Sequence, residues 1–189
     1  TGSYFLWQNV YVYALPNTAD LIYLGEKFNS PHYTAVGKIL RAYLLGLATD
    51  QYGSIVLDDS YNPEESIKLE PEFVSQEVVY ERIFKILDEA VVELDQESEL
   101  GLNDEGGDIL YNGDVEQWKK FAYSIKARYL NHLTKKTSGE HAYSPQMVIE
   151  AVQKGFSSNA DNAYITYGGG EASNDNQPFS TSGYGSTRF

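Results

Sequence analysis

Residues 108–128 read DILYNGDVEQWKKFAYSIKAR, and this stretch combines a helix start with a long apolar stripe. Asp114 can cap a helix with its side chain, and Gln117 three residues later completes the pattern of a capping box. Apolar residues then recur at three- and four-residue steps, which places them on one helical face. They are Trp118, Phe121, Ala122, Ile125, Tyr129 and Leu133. Because Lys135 and Lys136 suit the negative end of a helix, the sequence predicts one long helix from Asp114 to this pair.

Four further helical units follow from the same kind of spacing. Apolar positions from Leu6 to Leu24 keep helical spacing across Pro16, which predicts a kinked helix or two short ones. The start signals of the other three units are Ser30 with Pro31, Ser75, and Ser144 with Pro145. We expect the turn after the second unit to end at Gly53 and the last helix to close at Gly155.

Turn-forming residues separate these helices. They are dense at residues 54–74 and 97–113, which predicts two long loops. Residues 157–189 are rich in Ser, Asn, Asp and Gly and predict an irregular tail, in which residues 164–167 form the only plausible extended segment. Helical units joined by loops predict an all-α fold of antiparallel helix pairs, with the helical domain at residues 1–156.

The charge of the chain limits its partners. The 189 residues include 14 Lys and Arg and 27 Asp and Glu, which gives a net charge of −13. Such a surface repels nucleic acid and anionic lipid headgroups. The apolar stretches are short and interrupted by charges, so the sequence predicts no transmembrane helix, and the first residues predict no signal peptide. The chain has no cysteine, which excludes disulfides and thiolate metal sites.

The titratable residues do not predict a catalytic or metal site. The three histidines are far apart in sequence and lack metal-ligand spacing. Asp58 and Asp59 could be the acid and base of a glycosidase, but adjacent carboxylates in a loop point apart. The acidic loop at residues 103–108 offers oxygen ligands for calcium, but it lacks the alternation of an EF-hand loop. We therefore expect no catalytic residues, no metal and no cofactor.

The 16 tyrosines are the unusual feature of the composition. Aromatic rings with a polar tip can stack on the C–H faces of sugars and add a hydrogen bond. Tyr43, Tyr80 and Tyr129 lie at helical positions where packing explains them. Other rings lie in polar or glycine-rich surroundings or beside the first apolar stripe, and these are the candidate ligand-binding residues: Trp7, Tyr61, Tyr111, Tyr164 and Tyr167.

Three stretches resemble one protein family. Residues 32–53, HYTAVGKILRAYLLGLATDQYG, resemble a signature of SusD/RagB-like nutrient-binding outer-membrane lipoproteins, although Gly37 replaces an expected alanine. Residues 79–94 look like the family's next helix. Residues 108–128 resemble the SusD-like branch, in which a Gly-Asp pair precedes Trp, Lys-Phe-Ala, Ser and Arg. The motif residues expected to be structural are Asp50, Tyr52, Gly53, Asp114, Trp118, Phe121 and Arg128, with Arg128 as a partner for a helix carboxylate.

The resemblance implies a function as well as a fold. It implies helix pairs of tetratricopeptide type and non-catalytic binding of glycan or oligosaccharide nutrients by aromatic residues in the loops. It also implies a parent chain of several hundred residues, of which this chain is an internal portion. That parent would be a lipoprotein on the outer surface of the outer membrane, anchored outside this segment, and would deliver glycan to a SusC-like TonB-dependent transporter.

Two alternatives remain open at the level of sequence. Paired helices also form concave surfaces that bind peptides, so the chain could be a helical-repeat scaffold for another protein. An all-α glycosidase is the other alternative, and it requires two carboxylates that face each other across a cleft, about 5–9.5 Å apart.

Overall fold

Six helices make up most of the fold in the part of the chain that the structure describes. The computed structural model describes residues 2–57, 70–103, 107–138 and 142–165, with side chains from Phe5 onward. The helices are α1 (Gly2–Gln8), α2 (Leu15–Lys27), α3 (Pro31–Tyr52), α4 (Gln76–Leu94), α5 (Val115–His132) and α6 (Pro145–Lys154). A π-helical segment, Asn9–Ala14, joins α1 to α2, and a 3₁₀ turn covers Asn159–Asp161. The predicted all-α architecture is confirmed, whereas the domain boundary after residue 156 stays a prediction.

The first two helices form one run, and the π-helical segment between them ends at Ala14, two residues before Pro16. Proline has no backbone N–H and its ring conflicts with the carbonyl four residues earlier, so an α-helix cannot pass through it unchanged. A π-helical turn widens the backbone locally and accommodates such a break. The predicted kink therefore takes the form of a change in helix type.

Hydroxyl caps were predicted at Ser30 and Ser75, and only the second one forms. The Ser75 hydroxyl accepts a hydrogen bond from the backbone N–H of Val78. Ser30 makes no such bond, so its predicted side-chain cap is wrong, whereas α6 starts at Pro145 after Ser144 as predicted. The hydroxyl of Ser30 instead bonds Ser98 and the carbonyl of Leu100 in the loop after α4. Helix α3 therefore begins at Pro31 without a side-chain cap from Ser30.

The end of α5 also differs from the sequence prediction. This helix stops at His132, one turn before the lysine pair. The backbone N–H of Leu133 bonds the carbonyl of Leu130, and the N–H of Lys136 bonds that of Leu133. These i to i−3 bonds tighten the chain into turns, which places Lys135 and Lys136 beyond the helix.

Consecutive helices pack against each other along the chain, from α2 on α3 to α5 on α6. Their facing stripes form one core that includes the fully buried Ile39, Leu45, Ile83, Leu87 and Tyr129. Because neighbouring helices are antiparallel, the end of α3, the start of α4 and the end of α5 lie at the same end of the array. We call this the α3-end of the array.

The segment between α3 and α4 is not entirely loop, which corrects the prediction for residues 54–74. Strand β1 (Ile55–Val56) pairs antiparallel with β2 (Phe73–Val74), with Ile55 opposite Val74. Ile55 is fully buried, because two adjacent apolar residues after a tight turn can enter the core as an extended pair. Gly53 makes that turn with a φ of +76°, which favours glycine.

Glycines let α3 approach its neighbours closely. A Cβ at Gly37 would lie 2.7 Å from Cγ1 of Ile22 in α2, which explains why this position is not alanine. A Cβ at Gly46 would lie 1.9 Å from Cζ of Tyr129 in α5. The hydroxyl of Tyr129 donates to the carbonyl of Tyr43, 2.7 Å away, so the ring is held directly over Gly46.

Substitution of Gly46 by alanine should therefore destabilise the fold. Alanine gains about 1 kcal/mol of helix propensity, but overpacking against the fixed Tyr129 ring should outweigh this gain and leave a net loss of about 2 kcal/mol. Chemical denaturation followed by circular dichroism measures the change. In a Tyr129→Leu background the same alanine should cost much less, and an equal cost there would contradict the explanation.

Candidate functional site

An open pocket of about 740 Å³ lies at the α3-end of the array. Its walls come from the last turn of α3, the first turns of α4 and the turn after α5. The lining residues are Asp50, Gln76, Glu77, Tyr80, His132, Leu133, Lys135 and Lys136. Pockets of this size, with a few converging polar groups, are typical of small-molecule sites.

One side of the pocket is a bonded group of three side chains. The Tyr80 hydroxyl donates to Oδ1 of Asp50 over 2.6 Å, and Nδ1 of His132 lies 2.9 Å from Oδ2. Burial, and then the adjacent Asp50 carboxylate, raise the pKa of Tyr80 above its ordinary value, so the phenol stays protonated. Both oxygens of Asp50 are thus engaged, and no hydrogen bond within the described residues uses Nε2 of His132.

The remaining charged groups of the pocket differ in their pairing. Glu77 forms an ion pair with Lys136, and the Gln76 side chain donates to the carbonyl of Thr49. Lys135 is exposed, and it takes part in no ion pair within the part of the chain that the structure describes. Lys135 is therefore the lysine of this pocket with a charge available to a ligand.

Four aromatic residues form a second feature at the same end of the array, which we call the aromatic face: Trp7, Tyr11, Tyr52 and Phe73. Trp7 stacks on Tyr11 at a centroid distance of 4.2 Å and meets Tyr52 edge-on at 5.2 Å. Its ring is also nearly parallel to that of Phe73, 6.0 Å away. Trp7 is half-buried by these neighbours, whereas Phe73 is 62% exposed and is the ring that a ligand could reach.

The pocket and the aromatic face share backbone elements. Asp50 and Tyr52 lie two residues apart in the last turn of α3, and Phe73 precedes the pocket residue Gln76 by three positions. A ligand at the α3-end of the array could therefore meet both polar groups and an exposed ring.

The other predicted ligand-binding residues are not in this site. Tyr111 packs edge-on against Trp118 at 5.3 Å and donates its hydroxyl to the carbonyl of Asp161. Trp118 lies in the first turn of α5, about 21 Å from the His132 end by helix geometry. Tyr164 is 65% exposed, in the segment that follows Asp161. Tyr61 and Tyr167 lie outside the described residues, as do Asp58, Asp59 and His141.

Phe73 was missed by the sequence analysis because it lies in a segment predicted to be loop. The sign of a strand there was the pair Phe73–Val74, since aromatic and β-branched residues favour strands. Two residues are too few to show the alternation of a strand. Within the described ranges, no group of three or more His, Asp or Glu side chains could hold a metal ion, and no helix could cross a membrane.

The carboxylate of Asp108 organises the beginning of the 108–128 motif through hydrogen bonds. Oδ1 accepts the backbone N–H groups of Leu110 and Tyr111, and Oδ2 accepts the N–H of Gly113 and the indole N–H of Trp118. Burial would raise the pKa of Asp108, but these four donors outweigh it and hold the pKa below its ordinary value. The carboxylate thereby shapes the turn that leads into α5.

The other motif residues support the same end of α5. Asp114 caps the helix as predicted, by accepting the backbone N–H groups of Glu116 and Gln117. The capping box does not close, since Oε1 of Gln117 is buried without a hydrogen bond in the described structure. Phe121 stacks on Phe156 at 5.9 Å. Arg128 is exposed, and no ion pair among the described residues includes it.

A second carboxylate, Asp161, ties the chain after α6 to α5. It is almost fully buried and accepts a hydrogen bond from Nζ of Lys120 over 2.7 Å. The backbone N–H groups of Ser157 and Ser158 bond its other oxygen. Together with Lys120, these donors hold the pKa of Asp161 well below its ordinary value.

A family model and several solved structures that match the chain point to the same family. A model of a SusD-like family, described as "starch-binding associating with outer membrane", matches residues 2–185. A solved SusD/RagB family protein from Bacteroides thetaiotaomicron is 27% identical with a TM-score of 0.70, and the match covers 83% of this chain. A SusD homologue from Bacteroides fragilis is 30% identical with a TM-score of 0.67, over 81% of this chain.

A structure titled "chitin-binding protein" is 30% identical with a TM-score of 0.68, and the match covers 85% of this chain. The matches cover 32%, 32% and 33% of these three structures, so the chain spans about a third of their length. No curated protein matches the chain.

Replacement of Asp108 by asparagine should test the role of its carboxylate. The amide nitrogen of asparagine would face two of the four donors, so we expect a loss of about 2 kcal/mol at pH 7. Because the pKa of Asp108 is lower in the folded protein, its stabilisation is present above the unfolded pKa of about 3.9 and is lost as the pH falls further.

The difference between wild type and Asp108→Asn should therefore narrow below pH 4, as measured by denaturation at several pH values. Asp114→Asn is the matched control, since asparagine caps helices as well as aspartate does and should change stability little. A difference between wild type and Asp108→Asn that stays constant with pH would contradict the assignment.

Proposed function

The chain belongs to the SusD-like family, and from this premise we propose that it is the helical part of a non-catalytic protein that binds glycan at the outer membrane. The observation that carries the proposal is that an exposed ring, Phe73, and a polar pocket lie at the same end of the array, the α3-end. Glycan recognition needs both elements, because sugars present C–H faces to rings and hydroxyls to polar groups.

In our proposal, Trp7 supports the ring of Phe73, which contacts the ligand. The Trp7 ring stacks on Tyr11 and is nearly parallel to that of Phe73, so it supports Phe73. Tyr61, Tyr111, Tyr164 and Tyr167 stay candidate ligand contacts. The distance between the two ends of α5 means that Tyr111 would belong to a second contact region on the same glycan or to another ligand.

The state of the pocket carboxylates favours binding over hydrolysis. A glycosidase uses one carboxyl group as an acid and a second as a base or nucleophile, and both must be free to reach the sugar. Here Asp50 is engaged by Tyr80 and His132, and Glu77 is paired with Lys136. The pocket therefore suits a role in which its side chains hold a ligand without exchanging protons with it.

We further propose that the complete protein is a lipoprotein at the cell surface that passes glycan to a SusC-like TonB-dependent transporter. The family description, which includes association with the outer membrane, supports this proposal. The alternative is a helical-repeat scaffold for another protein. It gains some support from exposed apolar residues on α6, namely Met147, Ile149 and Val152. Affinity purification of the full chain from its own membranes distinguishes the two, since co-purification of a transporter barrel favours the first.

Substitution of Phe73 by alanine should weaken glycan binding. Loss of one stacking ring should lower affinity about 3- to 10-fold, which isothermal titration calorimetry on the full chain can measure with malto- and chito-oligosaccharides. Phe28→Ala is a closely matched control, because Phe28 is 61% exposed but lies beyond the opposite end of α3. Equal binding by the two variants would contradict the site, and no binding of any oligosaccharide would contradict the function.

A further inference from the structure

The pocket at the α3-end of the array differs from the rest of the chain in its charge. Two lysines among its lining residues balance two carboxylates, whereas the whole chain carries a net charge of −13. An anionic ligand is repelled by most of this surface, so it can bind only where local groups compensate for that repulsion. The pocket is such a place.

The pairing inside the pocket leaves hydrogen-bond donors free. Both oxygens of Asp50 are engaged, and Glu77 is neutralised by Lys136. The ammonium of Lys135 and Nε2 of His132 are without a partner in the described structure. With Nδ1 bonded to the Asp50 carboxylate, Nε2 of His132 accepts a hydrogen bond when the ring is neutral and donates one when the ring is charged. The free ammonium of Lys135 favours a ligand group that accepts hydrogen bonds, and carboxylates accept most strongly.

We propose that this pocket binds an acidic sugar residue, a hexuronate or a similarly carboxylated unit, with Lys135 and His132 holding its carboxylate. The inference rests on the proposed function and narrows its substrate class from glycans in general to glycans that contain acidic units. Leu133 supplies an apolar wall for the C–H face of the sugar ring, and Phe73 lies at the same end of the array for a neighbouring unit.

A metal ion or an amino sugar fits this pocket less well. Both are cations, and a cation needs carboxylate oxygens that are not already bonded. The carboxylate oxygens of Asp50 are engaged, and the adjacent lysines repel positive charge. The unpaired groups of the pocket therefore favour a negatively charged ligand over a positively charged one.

The test compares acidic trisaccharides with their methyl esters, which keep the same sugar and linkage but carry no charge. Trigalacturonate and a glucuronate trisaccharide are titrated calorimetrically into the full chain, each as the acid and as the ester. We expect at least one acid to bind about fivefold more tightly than its ester, and the difference to shrink at high salt.

The variant Lys135→Gln should abolish the preference for the acid. Lys85→Gln should preserve it, because Lys85 is exposed on α4 but is not among the pocket residues, and the substitution makes the same change in charge. Both lysines lie at the surface, and circular dichroism checks that each variant folds.

The possible outcomes separate this inference from the proposed function. If neutral oligosaccharides bind but no acid is preferred over its ester, the inference is overturned and the proposed function stands. If the preference exists but survives Lys135→Gln, the assignment to this pocket is overturned. If no oligosaccharide binds, acidic or neutral, the proposed function is overturned together with the inference.

Discussion

The contact between Tyr129 and Gly46 holds the fold together, because it joins helices that are not neighbours in the chain. The ring from α5 occupies the space that a side chain on α3 would fill, and its hydroxyl satisfies the carbonyl of Tyr43. Edge-on contact with Tyr80 then brings α4 into the same group. The positions of Asp50, Tyr80 and His132 follow from this packing, since each lies within one turn of a residue in the contact.

The helices could be predicted from sequence because apolar stripes and helix propensity act over many residues and reinforce each other. Their caps could not be predicted as well. A serine before a proline signals a helix start, but the hydroxyl of Ser30 bonds the distant Ser98 and Leu100 instead. Tertiary packing determines such partners, and local sequence patterns do not reveal it. The two-residue strands were missed for the same reason, since each is too short to show a period.

The candidate site was only partly predictable. Trp7 was identified by its residue type, whereas the exposed ring beside it, Phe73, was assigned to a loop. Asp50 was read as a structural motif residue, and it lines the pocket only because α4 and α5 bring Tyr80 and His132 to it. Asp108 orients four donors, a role for which the sequence offered no signal beyond its place before Asn-Gly-Asp.

The short ladder between β1 and β2 has an evolutionary consequence. It fastens the two ends of the connection between α3 and α4 to each other next to the core, so the spacing of these ends is set by the strand pairing itself. In general, the entropy of loop closure changes by only about 0.6 kcal/mol for each doubling of loop length. Evolution could therefore vary the number of residues between Val56 and Phe73 while the register of the two strands stays the same.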